Sequence, residues 1–204
     1  PISGVKFLGD IEMALNDSDH TVRYVAMIAL SHIPSKDWIE RLSNSRDPQT
    51  RLGALTAAHL RNESPPSGDT VSIIFDILAK KMYWARGAET RLDLLRIIDL
   101  HLDDFRKTRS VSEIASWILS EFPSKNPEVL WEQTGMLGNL RNPAGYPKLL
   151  EVLLNSVDPV HEFHAFQSLG AFQSGWTKDS ERQLVDWAVK TQTGWFANFN
   201  EIGR

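Results

Sequence analysis

His161 and His164 stand three residues apart, with Glu162 between them. On a helix that spacing puts two imidazoles on one face, where they can share a metal ion. A third ligand is not evident. Asp158 reads as a helix cap, and Glu162 projects in another direction. The segment also lacks the His-Glu-x-x-His order of a zinc protease. A packed, hydrogen-bonded pair at a helix junction explains the histidines more simply, so no metal is expected there. Asp103 and Asp104 are adjacent and project to different faces, so they do not form the acid/base couple of a glycosidase. No Gly-x-Ser-x-Gly elbow or glycine-rich dinucleotide loop occurs. The chain has no cysteine. That excludes disulfides, thiolate metal sites, a thiol nucleophile and covalent c-type haem within these residues. The expectation is no catalytic residue and no cofactor.

Charge narrows the partners. There are 22 basic and 26 acidic residues, a net charge of −4, whereas a nucleic-acid binder needs a basic excess to neutralise phosphates. Lys80-Lys81 and the cluster Arg106, Lys107 and Arg109 are short, and Asp103, Asp104 and Glu113 flank the second. They read as solvated faces or helix C-termini. No apolar run of membrane-spanning length is present. Seven tryptophans are a high number for 204 residues. Trp38, Trp117 and Trp187 sit at apolar helix positions and read as core. Trp176 precedes a threonine N-cap, in the position of a hydrophobic staple. Trp195, Phe196 and Phe199 form an apolar tail that must bury itself somewhere, and are the candidate docking surface.

These residues are carried by helices. Apolar periodicity predicts helices over about 5–16, 20–33, 36–44, 48–60, 69–84, 88–102, 110–121, 127–140, 145–155, 159–172 and 178–190, with a short element near 195–202. The buried stripe of the second is read as Val22, Val25, Ala26, Ile28, Ala29 and Leu30. Asp47-Pro48, Asn126-Pro127 and Asp158-Pro159 are start signals: the side chain caps free backbone N–H groups, and proline suits the first helical position. Residues 62–69 are a Pro/Ser/Gly loop. No long alternation of apolar and polar residues suggests a strand. One phrase recurs. Asp19-x-x-x-Arg23 returns as Asp47-x-x-x-Arg51, and the alanines at 26 and 29 return at 54 and 57. Each offset is 28 residues, counted along the sequence. A repeat of that length filled with helical periodicity indicates a solenoid of paired helices.

Paired helices with small residues inside, and Asp-x-x-x-Arg opening the second helix, resemble HEAT repeats. The resemblance implies an all-α, right-handed α-solenoid (an α-α superhelix) of about five helical hairpins plus a C-terminal helix or tail, in one domain over 1–204. It also implies a structural ladder of Asp19, Arg23, Asp47, Arg51 and Arg91, in which each arginine pairs with the aspartate of its own or a neighbouring repeat. The third repeat keeps Arg91 but has Ala88-Glu89 in place of Asp-Pro. His164, Gly175-Trp176-Thr177, Glu181-Arg182, Trp187 and the closing Gly194-Trp195-Phe196 are similar to the helical-repeat region of large bacterial multidomain proteins described as membrane-bound dehydrogenases. In those, a propeller precedes the repeats and a c-type cytochrome domain follows. With Pro1 rather than Met at the start, this resemblance implies a piece of a longer, periplasmic or exported redox protein.

One function is expected, with two alternatives beside it. The first is a non-catalytic scaffold holding a protein partner or neighbouring domains of its own chain, with no nucleic acid and no membrane span. The second is a HEAT-like enzyme of the DNA base repair or bilin-lyase type, against which the acidic balance and the lack of a catalytic constellation argue. The third is metal or ligand binding through His161 and His164.

Overall fold

The computed structural model describes residues 4–61, 70–79, 87–107 and 111–202, with side chains described from 6 to 191 within those segments. It is all-helical, with no strand among the described residues. The chain divides into two compact units, Pro1–Arg109 and Ser110–Arg204.

Unit 1 contains α1 (Leu8–Leu15), α2 (His20–Ser31), α3 (Ile39–Ser43), α4 (Pro48–Leu60), α5 (Thr70–Ala79), α6 (Ala88–Leu100) and α7 (Leu102–Lys107). Helix α2 packs on α1, α3 on α4, and α4 lies between α2 and α6. The N-caps form as their chemistry requires: Asp19 accepts from the Thr21 N–H at 2.7 Å, and Asp47 from the Thr50 N–H at 2.7 Å. Of the thirteen residues of α4, ten are buried, including Gln49, Thr50 and Arg51. Small residues make this possible, because Gly53, Ala54, Ala57 and Ala58 let neighbouring helices approach closely. A Cβ at Gly53 would lie 2.7 Å from Leu15 Cδ2. Trp38 is fully buried and donates its indole N–H to the Ile33 carbonyl at 3.0 Å. Large aromatics with a polar edge are accommodated in cores in this way.

Two readings change in unit 1. The inner stripe of α2 is Arg23, Ala26, Met27 and Leu30, while Val22 and Val25 are exposed. Two stripes offset by a residue were both apolar enough to be chosen, and contact with α1 and α4 selects the one containing Arg23. Met13 and Leu60 are also exposed. The stretch after Leu100 adds a short helix, α7. Its acidic first turn (Asp103, Asp104) and basic last turn (Arg106, Lys107) match the helix dipole. They also join in i,i+3 pairs, Arg106 to Asp103 at 2.9 Å and Lys107 to Asp104 at 3.1 Å. Lys80 and Lys81 lie outside the described residues.

Unit 2 contains α8 (Val111–Ser120), α9 (Pro127–Leu140), α10 (Gly145–Asn155), α11 (Pro159–Leu169) and α12 (Lys178–Ile202). Helix α9 packs on α8 and α11, and α10 on α11 and α12. Asn126 caps α9 through the Val129 N–H at 3.0 Å, and Asp158 caps α11 through the Val160 N–H at 2.9 Å. The expected break after residue 190 is absent, and α12 runs as one helix through Gly194. It opens with a reciprocal cap: the Ser180 N–H donates to Thr177 Oγ1 at 3.1 Å, and the Thr177 N–H to Ser180 Oγ at 2.8 Å. This is a capping box with serine in the usual Glu/Gln place. Trp176 is not a staple, because the fourth position of α12 is Glu181. Its ring instead lies 4.6 Å from that of Tyr146. Gly175 makes that turn possible. Its φ is +96°, and a Cβ there would meet the Pro143 carbonyl at 2.9 Å.

Candidate functional site

The recurring Asp-x-x-x-Arg phrase splits into two roles. Its aspartates are helix caps. The Thr21 N–H, backed by the Thr21 hydroxyl and the Arg23 charge, holds the Asp19 carboxyl below its ordinary value. Its arginines reach acids outside the phrase. Arg23, 4% exposed, donates through Nη1 to the carbonyls of Asp17 and Ser18, each at 3.0 Å. Its Nη2 lies 2.7 Å from Glu89 and 3.8 Å from Asp93. Arg51 meets Asp76 of α5 at 2.5 Å. Arg91 lies half-buried at the end of the first turn of α6. The resemblance implied partners within the repeated phrase, whereas Glu89, Asp93 and Asp76 carry no repeat signature and could not be picked out from it.

A pocket of about 510 Å³ opens beside Arg23, lined also by Asp17, Ser18, Gln49, Glu89 and Thr90. Gln49 is 4% exposed and donates to Asp93 at 2.6 Å. Among its described lining residues the one cation, Arg23, is already met by Glu89 and Asp93. The pocket therefore offers no unbalanced positive charge for an anionic ligand, and its polar groups hold α2, α4 and α6 in register.

His161 and His164 separate in their surroundings. His161 Nδ1 is 3.6 Å from the Asp158 carboxylate, its own helix cap. The His164 ring stacks on Trp131 of α9, with centroids 3.8 Å apart, and meets Phe163 edge-on at 5.8 Å. Among the described residues, no three His, Cys, Asp or Glu side chains gather as a metal site.

The larger feature is the surface to which His164 belongs. Trp131 on α9 is 46% exposed, and Phe163 and Phe166 on α11 are 54% and 42% exposed. The Phe166 ring lies 5.1 Å from Trp187 of α12. Val160 is exposed one turn before Phe163. The rings form two touching groups, Trp131–His164–Phe163 and Phe166–Trp187, that make an aromatic row across α9, α11 and α12. Beside Trp131 the surface is bare, since no atom lies within 4 Å of a Cβ placed on Gly135. The spacing of Val160, Phe163 and Phe166 is that of an apolar helix face. Only Ala165 and Leu169 of α11 are in fact buried. The side chains of Trp195, Phe196 and Phe199 lie outside the described residues.

No helix among the described residues is long and apolar enough to cross a membrane. No family model, curated protein or solved structure matches the chain.

Proposed function

We propose that this chain is a non-catalytic binding module, a right-handed α-solenoid of the HEAT kind that holds a protein partner or a neighbouring domain. The pairing of helices supports the architecture: α2, α4 and α6 lie side by side in unit 1, as α9 and α11 do in unit 2. Each of α2, α4, α9 and α11 starts at an Asp or Asn cap.

The observation that carries the binding role is the exposed row of Trp131, Phe163 and Phe166. Exposed aromatics scattered singly need no explanation, but a row of them is the composition of an interaction surface. Hydrogen exchange tests this. The isolated chain is compared with the same residues in the protein purified gently from its own cells. Helices α9 and α11 are expected to exchange more slowly in the natural assembly. Equal exchange over residues 127–169 in the two samples refutes the reading.

A further inference from the structure

The charge of the chain is unevenly placed. Residues 1–109 hold 15 Lys or Arg and 15 Asp or Glu, a balance of zero; residues 110–204 hold 7 and 11, a balance of −4. The whole net charge therefore falls on the unit bearing the aromatic row. The two helices that present most of the row are more one-sided still. Helices α9 and α11 contain Glu128, Glu132 and Glu162 and not one lysine or arginine. Glu128 is exposed three residues before Trp131, and Glu162 is half-buried four residues before Phe166. Those are the spacings that put side chains next to each other on a helix. Neither Glu128 nor Glu162 forms an ion pair among the described residues.

An aromatic ring flanked by an unengaged carboxylate suits a guanidinium. Its plane stacks on the ring, attracted by the ring quadrupole, while its edge donates to the carboxylate. Two such ring–carboxylate units, Trp131 with Glu128 and Phe166 with Glu162, lie on neighbouring helices, with Phe163 and His164 between them. We propose that the aromatic row of α9 and α11 docks a basic, arginine-bearing peptide segment of its partner. This rests on the reading of the chain as a binding module and names the chemistry of what it binds. Nucleic acid is disfavoured by the same carboxylates, which would face phosphates.

The test titrates the chain with nona-arginine, following tryptophan fluorescence, and uses nona-lysine and nona-glutamate as comparisons. Nona-arginine is expected to bind saturably, more tightly than nona-lysine, and to weaken as salt is raised. Nona-glutamate is expected not to bind. Each ring removed, by Trp131→Ala or Phe163→Ala, is expected to weaken nona-arginine binding roughly two- to fivefold, and both together about tenfold. Phe163→Leu keeps the bulk, removes the ring and is expected to weaken binding as well. Glu128→Gln with Glu162→Gln is expected to weaken binding and flatten its salt dependence. Far-UV circular dichroism checks that each variant keeps its helices. No saturable binding, or binding that the Trp131→Ala/Phe163→Ala pair leaves unchanged, overturns the proposal. The exchange experiment answers a separate question, whether anything covers this face. Protection of α9 and α11 without arginine binding sinks this proposal and leaves the binding-module reading standing.

Discussion

Arg23→Ala separates the two things a buried arginine can do, which are to pair with carboxylates and to cap backbone carbonyls. In unit 1 it does both. Truncation removes the charged donor that the Asp17 and Ser18 carbonyls share, and hydrogen bonds to a charged group contribute roughly 1.5–3 kcal/mol. Glu89 is 59% exposed, so water takes over its interaction and that arm is worth at most about 1 kcal/mol. Asp93 keeps its bond from Gln49. The expected loss for Arg23→Ala is therefore roughly 3–4 kcal/mol, most of it from the carbonyls. Glu89→Gln is expected to cost under about 1 kcal/mol. Urea denaturation followed by circular dichroism measures both, and the double variant gives their coupling. Repeating the series at high salt should shrink the Glu89 effect and spare the Arg23 effect. Equal losses for the two single variants would falsify the carbonyl-capping account. So would an Arg23→Ala loss below about 1 kcal/mol, which is within reach of a surface substitution.

Three further perturbations are equally specific. Gly138→Ala places a Cβ 2.9 Å from Ser168 Cβ and 3.1 Å from Ser168 Cα, where α9 meets α11. Backbone cannot step aside cheaply, so a loss of about 1–3 kcal/mol is expected in thermal or urea unfolding. Gly135→Ala on the same helix meets nothing within 4 Å and should stabilise by about 0.5–1 kcal/mol through helix propensity. Tyr146 is 1% exposed, and its burial, opposed by nearby Ser180 and helped by a smaller push from Glu181, raises its phenol above the usual 10.0. The folded chain thus holds this proton more tightly than the unfolded chain. The resulting stability is intact below pH 10 and is lost as pH rises through the folded value. Alkaline unfolding followed by circular dichroism should be steeper in this range for the native chain than for Tyr146→Phe, and identical profiles would count against it.

What the sequence made legible was local. Asp19, Asp47, Asn126 and Asp158 cap helices because each side chain bonds a backbone N–H two or three residues on. Nothing distant has to be known to see this. The partner of Arg23 lies 66 residues away in a helix start that lacks the repeated phrase, so no pattern within one repeat could identify it. The aromatic row was hidden for a related reason. Periodicity reports that α11 has an apolar side, and Phe163 and Phe166 satisfy it, but whether another helix covers that side depends on packing elsewhere in unit 2. Short α7 was concealed because its six residues are fewer than two turns, although the order of its charges carried a usable signal.

Helix α4 has almost no side facing water, and this governs how unit 1 can come apart. Its apolar and small residues run all the way round, so α4 has no amphipathic stripe on which to rest alone. A thirteen-residue helix is marginal in water without tertiary support. Shedding α1 and α2 from one flank, or α6 from the other, would strip α4 of the contacts that keep it helical. Stacked helical hairpins can fray from their ends, losing one pair at a time. Unit 1 is instead built to resist such peeling, with its outer helices released in the same step that melts its middle.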